Sequence, residues 1–146
     1  MGNRINKNTM VKSLFSKGEA LKPMERILIV EDEVNTALSL TELLEIWGYA
    51  IIGPASTGEE AIRLAKTEMP DVVLMDVKIR GDMDGLEAGG LINSQLGIPV
   101  ILMTGYFENE TTGDLKVNKK IQYISKPLDL AKLKSMLKVC LGTNES

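Results

Sequence analysis

The chain has 146 residues, enough for one domain with an ordinary core, and a formal net charge of −3, which gives no reason to expect general affinity for nucleic acid. It contains no histidine and one cysteine, Cys140. That composition excludes Ser-His and Cys-His nucleophile pairs, most zinc sites and any internal disulfide. No apolar stretch reaches membrane-spanning length, and the N-terminus lacks the apolar core of a signal peptide, so a cytoplasmic location is expected.

Residues 1–24 carry four lysines and one arginine against one glutamate, and read as an N-terminal extension. Termini are poorly ordered unless tied down, so a mobile tail is expected. The alternative is an amphipathic helix with Met10, Val11, Leu14 and Phe15 on one stripe. The domain proper is expected over 25–142, with 143–146 as a tail.

From Arg26 onward, strand and helix patterns alternate. A first strand, about Arg26–Val30, is a continuous apolar run of the kind buried on both faces of a parallel sheet. A helix follows from about Glu33 to Trp47 and stops at Gly48. A short strand, Ala50–Gly53, leads to Pro54. Thr57-Gly58-Glu59-Glu60 has capping-box spacing and opens a second helix that ends before Pro70. Asp71–Met75 is a third strand. Asp84-Gly85-Leu86-Glu87 caps a third helix running to about Leu96. Pro99–Met103 and Ile121–Ile124 are the last strands, and Asp129 caps a final helix to about Leu141. Parallel strands need crossovers, so a fourth helix is expected between Tyr106 and Lys120, where the sequence supports only a short or irregular one. The predicted fold class is α/β, a doubly wound five-stranded parallel sheet of order 2-1-3-4-5.

Chemistry concentrates at the strand ends. The first strand ends in Glu31-Asp32 and the third in Asp76. Ligand crevices of open α/β sheets lie beyond the carboxyl ends of the strands. If these strands are neighbours, three carboxylates meet there. Such carboxylates repel unless a cation lies between them, and a hard divalent ion such as magnesium suits the oxygen donors. The fourth strand ends in Met103-Thr104-Gly105 and the fifth in Ser125-Lys126-Pro127. A carboxylate can accept a phosphoryl group as an acyl phosphate. With Asp76 in that role, Lys126 offers a positive donor and Thr104 a hydroxyl donor.

With these residues in place, the chain resembles the receiver domain of two-component response regulators from about Arg26 to Leu141. The matching pieces are Ile27 to Glu33, Asp71 to Asp76, Met83-Asp84-Gly85, Thr104-Gly105 and Tyr123 to Pro127. The resemblance implies that Asp76 is the phosphoacceptor and that Asp32 and Asp76 bind Mg2+ directly. Glu31 would help through water, and the Lys78 backbone carbonyl would be a further ligand. Lys126 would bridge Asp76 and the phosphoryl group, while Thr104 and Tyr123 would form a two-part switch. The donor would be a phosphohistidine on a sensor histidine kinase or phosphotransfer protein. An output partner is also implied, since a stand-alone receiver leaves no room for a DNA-binding domain. Such a protein is a signalling switch, not a turnover enzyme on external substrates.

Two departures from the family pattern carry expectations. The loop from Lys78 to Gly85 is charged, lacks the frequent proline and is one residue longer, which leaves the start of the third helix open. The Lys78 ammonium is expected to reach the acidic pocket and compete with metal. The rival functions are a pseudo-receiver, acting as an interaction module without phosphoryl turnover, and a Mg2+ phosphohydrolase with Asp76 as nucleophile. Lys78 weighs against the hydrolase, because a haloacid-dehalogenase-type enzyme places a second acid two residues after its nucleophile.

Overall fold

The computed structural model describes residues 23–105 and 120–142. Five strands, β1 (Arg26–Val30), β2 (Ala50–Ala55), β3 (Val72–Asp76), β4 (Val100–Thr104) and β5 (Ile121–Ser125), form one parallel sheet in the order β2-β1-β3-β4-β5. Four helices are described: α1 (Val34–Ile46), α2 (Gly58–Glu68), α3 (Gly85–Leu96) and α4 (Leu130–Leu141). The fold class and strand order are those predicted. Of the expected extension over 1–24, residues 1–22 fall outside the described residues, as do the tail over 143–146 and the expected crossover helix.

Alternate residues along each strand feed two different cores, as a two-sided parallel sheet requires. Ile27, Ile29, Leu74 and Ile101 pack with Leu40 and Leu44 of α1 and Leu133 and Leu137 of α4. Leu28, Val30, Val73 and Met75 pack on the opposite face with Ala61 and Ala65 of α2 and Ala88 and Ile92 of α3. This double burial explains why β1, β3 and β4 read as unbroken apolar runs. Small residues set the spacing between α2 and α3. A Cβ on Gly58 would lie 3.1 Å from the Ala88 Cβ, so the two helices meet over almost no side-chain bulk.

Each helix start uses a side chain to satisfy an otherwise unpaired backbone N–H. Glu33 accepts from the Thr36 N–H, Asp84 from that of Glu87 and Asp129 from that of Lys132. At α2 the box is reciprocal: Glu60 N donates to Thr57 Oγ1 at 3.0 Å, and Ser56 N donates to Glu60 Oε1 at 3.1 Å. The cap at Asp84 settles the start of α3, so any extra length in the preceding loop is absorbed before it.

Four strands differ from expectation in their limits, and of these β3 runs from Val72 to Asp76 rather than from Asp71 to Met75. β2 continues past Gly53 and Pro54 to Ala55, because its register with β1 shifts between Leu28 and Val30. That irregularity absorbs the glycine–proline pair. β4 begins at Val100 and runs through Thr104, and β5 continues to Ser125, where Thr104 and Ser125 are register partners.

Candidate functional site

Pairing places the chemistry-bearing residues side by side. β1 lies next to β3 and β3 next to β4, with Asp76 in register with Met103. The chain beyond Asp76 is pinned: Val77 N donates to the Met103 carbonyl at 3.0 Å, and Gly85 N donates to the Val77 carbonyl at 2.7 Å. Beyond β4, Lys126 N donates to the Thr104 carbonyl at 2.8 Å. These bonds hold the exits of β3 and β5 toward one cleft.

Asp76 is buried, with 6% of its surface exposed. Its Oδ2 accepts from Lys126 Nζ at 2.7 Å, and its Oδ1 accepts from the Lys78 backbone N–H at 3.1 Å. A buried carboxylate needs such partners to remain charged. The cleft has a volume of about 470 Å³ and is lined by Asp76, Val77, Lys78, Thr104, Gly105 and Lys126. Lysine and a hydroxyl-bearing residue thus share one opening with the Asp76 carboxylate.

The second acid pair behaves asymmetrically. Glu31 is buried at 4% exposure, while Asp32 is half-buried. Glu31 Oε2 accepts from the Glu33 N–H at 3.1 Å, but Oε1 is buried with no hydrogen-bond partner among the described residues. Burial pushes the Glu31 carboxyl up to about 7, and the Asp76 charge adds to this; the Glu33 N–H and the Lys126 ammonium act against it. Asp32 faces Arg80, with Nε of the arginine 3.9 Å from Oδ2.

This donor set fits a magnesium ion. An orphaned buried carboxylate oxygen on Glu31 is the kind of group a cation or its bound water satisfies. Magnesium commonly takes only one or two carboxylates and keeps several waters. Among the described residues no three acidic side chains form a group that could hold a metal, so the three carboxylates expected at this edge do not close into one site.

The Lys78 ammonium forms no ion pair among the described residues. Arg80, a residue that charge counting alone did not single out, instead reaches Asp32. Its placement comes from the backbone: Arg80 pairs with Thr57 in an isolated parallel bridge. Tyr123 is half-buried and packs against the core beside α2 and α3; its hydroxyl has no hydrogen-bond partner among the described residues, and burial raises its pKa. Gly85 is the other residue whose role lies in geometry. A Cβ there would overlap the Asp76 carbonyl oxygen and lie 2.8 Å from Val77 Cα. Only glycine lets α3 start this close to the end of β3.

The response regulator receiver domain family matches residues 27–138, and the chain belongs to that family. Among curated proteins, the transcriptional regulatory protein PdtaR of Mycobacterium tuberculosis is 34% identical over 108 residues, covering 74% of this chain and 52% of that protein. The regulatory protein AtoC of Escherichia coli is 38% identical over 111 residues, covering 75% of this chain and 24% of AtoC. The chain therefore spans about half the length of PdtaR and a smaller share of AtoC. Among solved structures, the signal receiver domain of a modulated diguanylate cyclase from Desulfovibrio desulfuricans has a TM-score of 0.73 at 30% identity, covering 83% of this chain and 96% of that one. The response regulator TrrA of Thermotoga maritima, solved in complex with Mg2+ and BeF, has a TM-score of 0.71 at 34% identity, covering 81% of this chain and all of that one. Receiver domains are in general signalling modules that bind Mg2+ at their phosphorylation site and work with histidine kinases or phosphotransfer proteins. Among the described residues, no helix is long and apolar enough to cross a membrane.

Proposed function

We propose that this receiver domain is a phosphoacceptor switch in which Asp76 takes a phosphoryl group from a phosphohistidine on a kinase or phosphotransfer protein. The observation that carries the proposal is the 2.7 Å contact between Lys126 Nζ and Asp76 Oδ2 at a cleft shared with Thr104. In the transfer, an Asp76 carboxylate oxygen forms a bond to phosphorus as the P–N bond breaks. The electron pair of that bond goes to the imidazole, which leaves as a neutral ring when its other nitrogen carries a proton. The product is an acyl phosphate.

The chain's residues divide the work. Phosphoryl transfer depends mainly on positioning and on neutralising charge. Lys126, already against Asp76, bridges the carboxylate and a phosphoryl oxygen. Thr104 supplies a hydroxyl donor from the adjacent strand end. Asp32 and Asp76 would hold Mg2+ directly, with Glu31 acting through water and the Lys78 carbonyl as a further ligand. Bound there, the ion would supply positive charge to the phosphoryl oxygens. The Mg2+ and BeF of TrrA support this assignment by similarity. Thr104 and Tyr123 are the two side chains through which occupancy of Asp76 reaches a surface read by an output partner.

Incubation of the protein with Mg2+ and acetyl phosphate, followed by intact mass, tests this function. The expected result is one phosphoryl adduct that requires Mg2+ and is lost in Asp76→Asn. Absence of an adduct with any divalent metal would overturn the proposal in favour of an interaction module. Rapid multiple turnover of assorted phosphate esters would overturn it in favour of a hydrolase.

A further inference from the structure

We infer that Arg80 is a built-in competitor of the divalent cation, holding the Asp32 carboxylate with its guanidinium and weakening Mg2+ binding until the ion displaces it. The inference rests on the proposed Mg2+ site. Its own basis is the contact of Arg80 Nε with Asp32 Oδ2 at 3.9 Å.

The arginine is delivered to Asp32 by its backbone. The loop after β3 is tied to the start of α2 through the Thr57–Arg80 bridge, and Thr57 is itself fixed as the α2 cap by the Glu60 N–H. The chain then turns at Gly81, whose φ of +99° suits glycine. A main chain bridged to Thr57 keeps the Arg80 side chain within reach of Asp32.

The side chain itself remains free to leave. Arg80 is 68% exposed and Asp32 26% exposed, so their contact is hydrated and cheap to break. A permanent lock would be buried and bidentate. Among the charged neighbours, Lys126 is committed to Asp76 and Lys78 has no carboxylate partner among the described residues. Arg80 is therefore the cation that stands where an incoming ion would meet Asp32. Removing one unit charge beside a divalent site in a water-like dielectric changes affinity about three- to tenfold.

Calorimetric titration of the full chain with MgCl2 at low ionic strength tests the inference, with Mn2+ paramagnetic resonance as a second count of bound ion. Arg80→Ala is expected to tighten Mg2+ binding about three- to tenfold, and Arg80→Lys to stay near wild type. The gap is expected to narrow at roughly 0.5 M NaCl, where screening acts within a few ångström. Arg63→Ala removes the same charge from an exposed position on α2 and serves as the control. Unchanged or weaker binding in Arg80→Ala, or equal tightening in Arg63→Ala, overturns the competitor role while wild-type binding leaves the metal site standing. Failure of wild type and every variant to bind Mg2+ or Mn2+ overturns the metal site itself.

Discussion

Lys126 and Asp76 are 50 residues apart in the chain, yet the lysine ammonium donates to the buried carboxylate at 2.7 Å. Only the order of the sheet brings them together, with β4 between their strands. Lys126→Met is expected to leave the fold intact and to cost roughly 1–2 kcal/mol, because Asp76 loses its partner in a buried position. The lower end of that range reflects the 34% exposure of Lys126. Urea melts check the stability, and the acetyl phosphate assay should show much slower labelling of Asp76.

Gly85→Ala is expected to be far more damaging than an ordinary glycine-to-alanine change in a helix. The new methyl group would meet main-chain atoms of Asp76 and Val77, which cannot rotate away. Overpacking of this kind costs about 1–3 kcal/mol. Thermal denaturation measures it. Gly90→Ala in the same helix is the comparison, because its Cβ would meet nothing within 4 Å and alanine there is expected to be neutral or stabilising.

In metal-free protein, stability is expected to fall as pH rises from about 4.5 to about 7, the window set by Glu31. Burial raises the folded-state value, with the Asp76 charge adding to it. Within that window the folded state holds a proton that the unfolded chain has already released, so raising the pH favours unfolding. The effect is on the order of 2 kcal/mol across the window. Urea melts in EDTA at about pH 5 and about pH 7.5 measure it. Glu31→Gln should flatten the difference, and an undiminished slope in that variant would assign it elsewhere.

Thr57→Ala is expected to cost about 1 kcal/mol, the usual loss for an N-cap hydroxyl. The Glu60 N–H would lose the acceptor that now lies at 3.0 Å. Thr57→Ser should recover most of the loss, as judged from the midpoint of chemical denaturation.

Much of the architecture was legible because β1, β3 and β4 are buried on both faces and leave unbroken apolar runs. The helix starts were legible for a local reason: Thr57, Asp84 and Asp129 bond to backbone three residues away. The acids, Thr104 and Lys126 could be placed on one edge because strand ends of a parallel sheet share an edge. Arg80 was hidden for the opposite reason. Its approach to Asp32 depends on a bridge to Thr57, 23 residues earlier, which no local pattern records. The end of β2 was missed because Gly53-Pro54 reads as a stop, and only the neighbouring strand's register shows that the pairing continues to Ala55.

The close fit of Gly85 against the end of β3 gives the cleft one stiff wall. Asp76 has main-chain packing behind it, and its successor Val77 is bonded to both Met103 and Gly85. Main chain held this way leaves the Asp76 backbone little room to shift. Thr104 and Lys126 stand on the opposite bank, at the ends of the neighbouring strands. The stiffness of that wall therefore traces to an absent methyl group, the one that any residue other than glycine would bring to position 85.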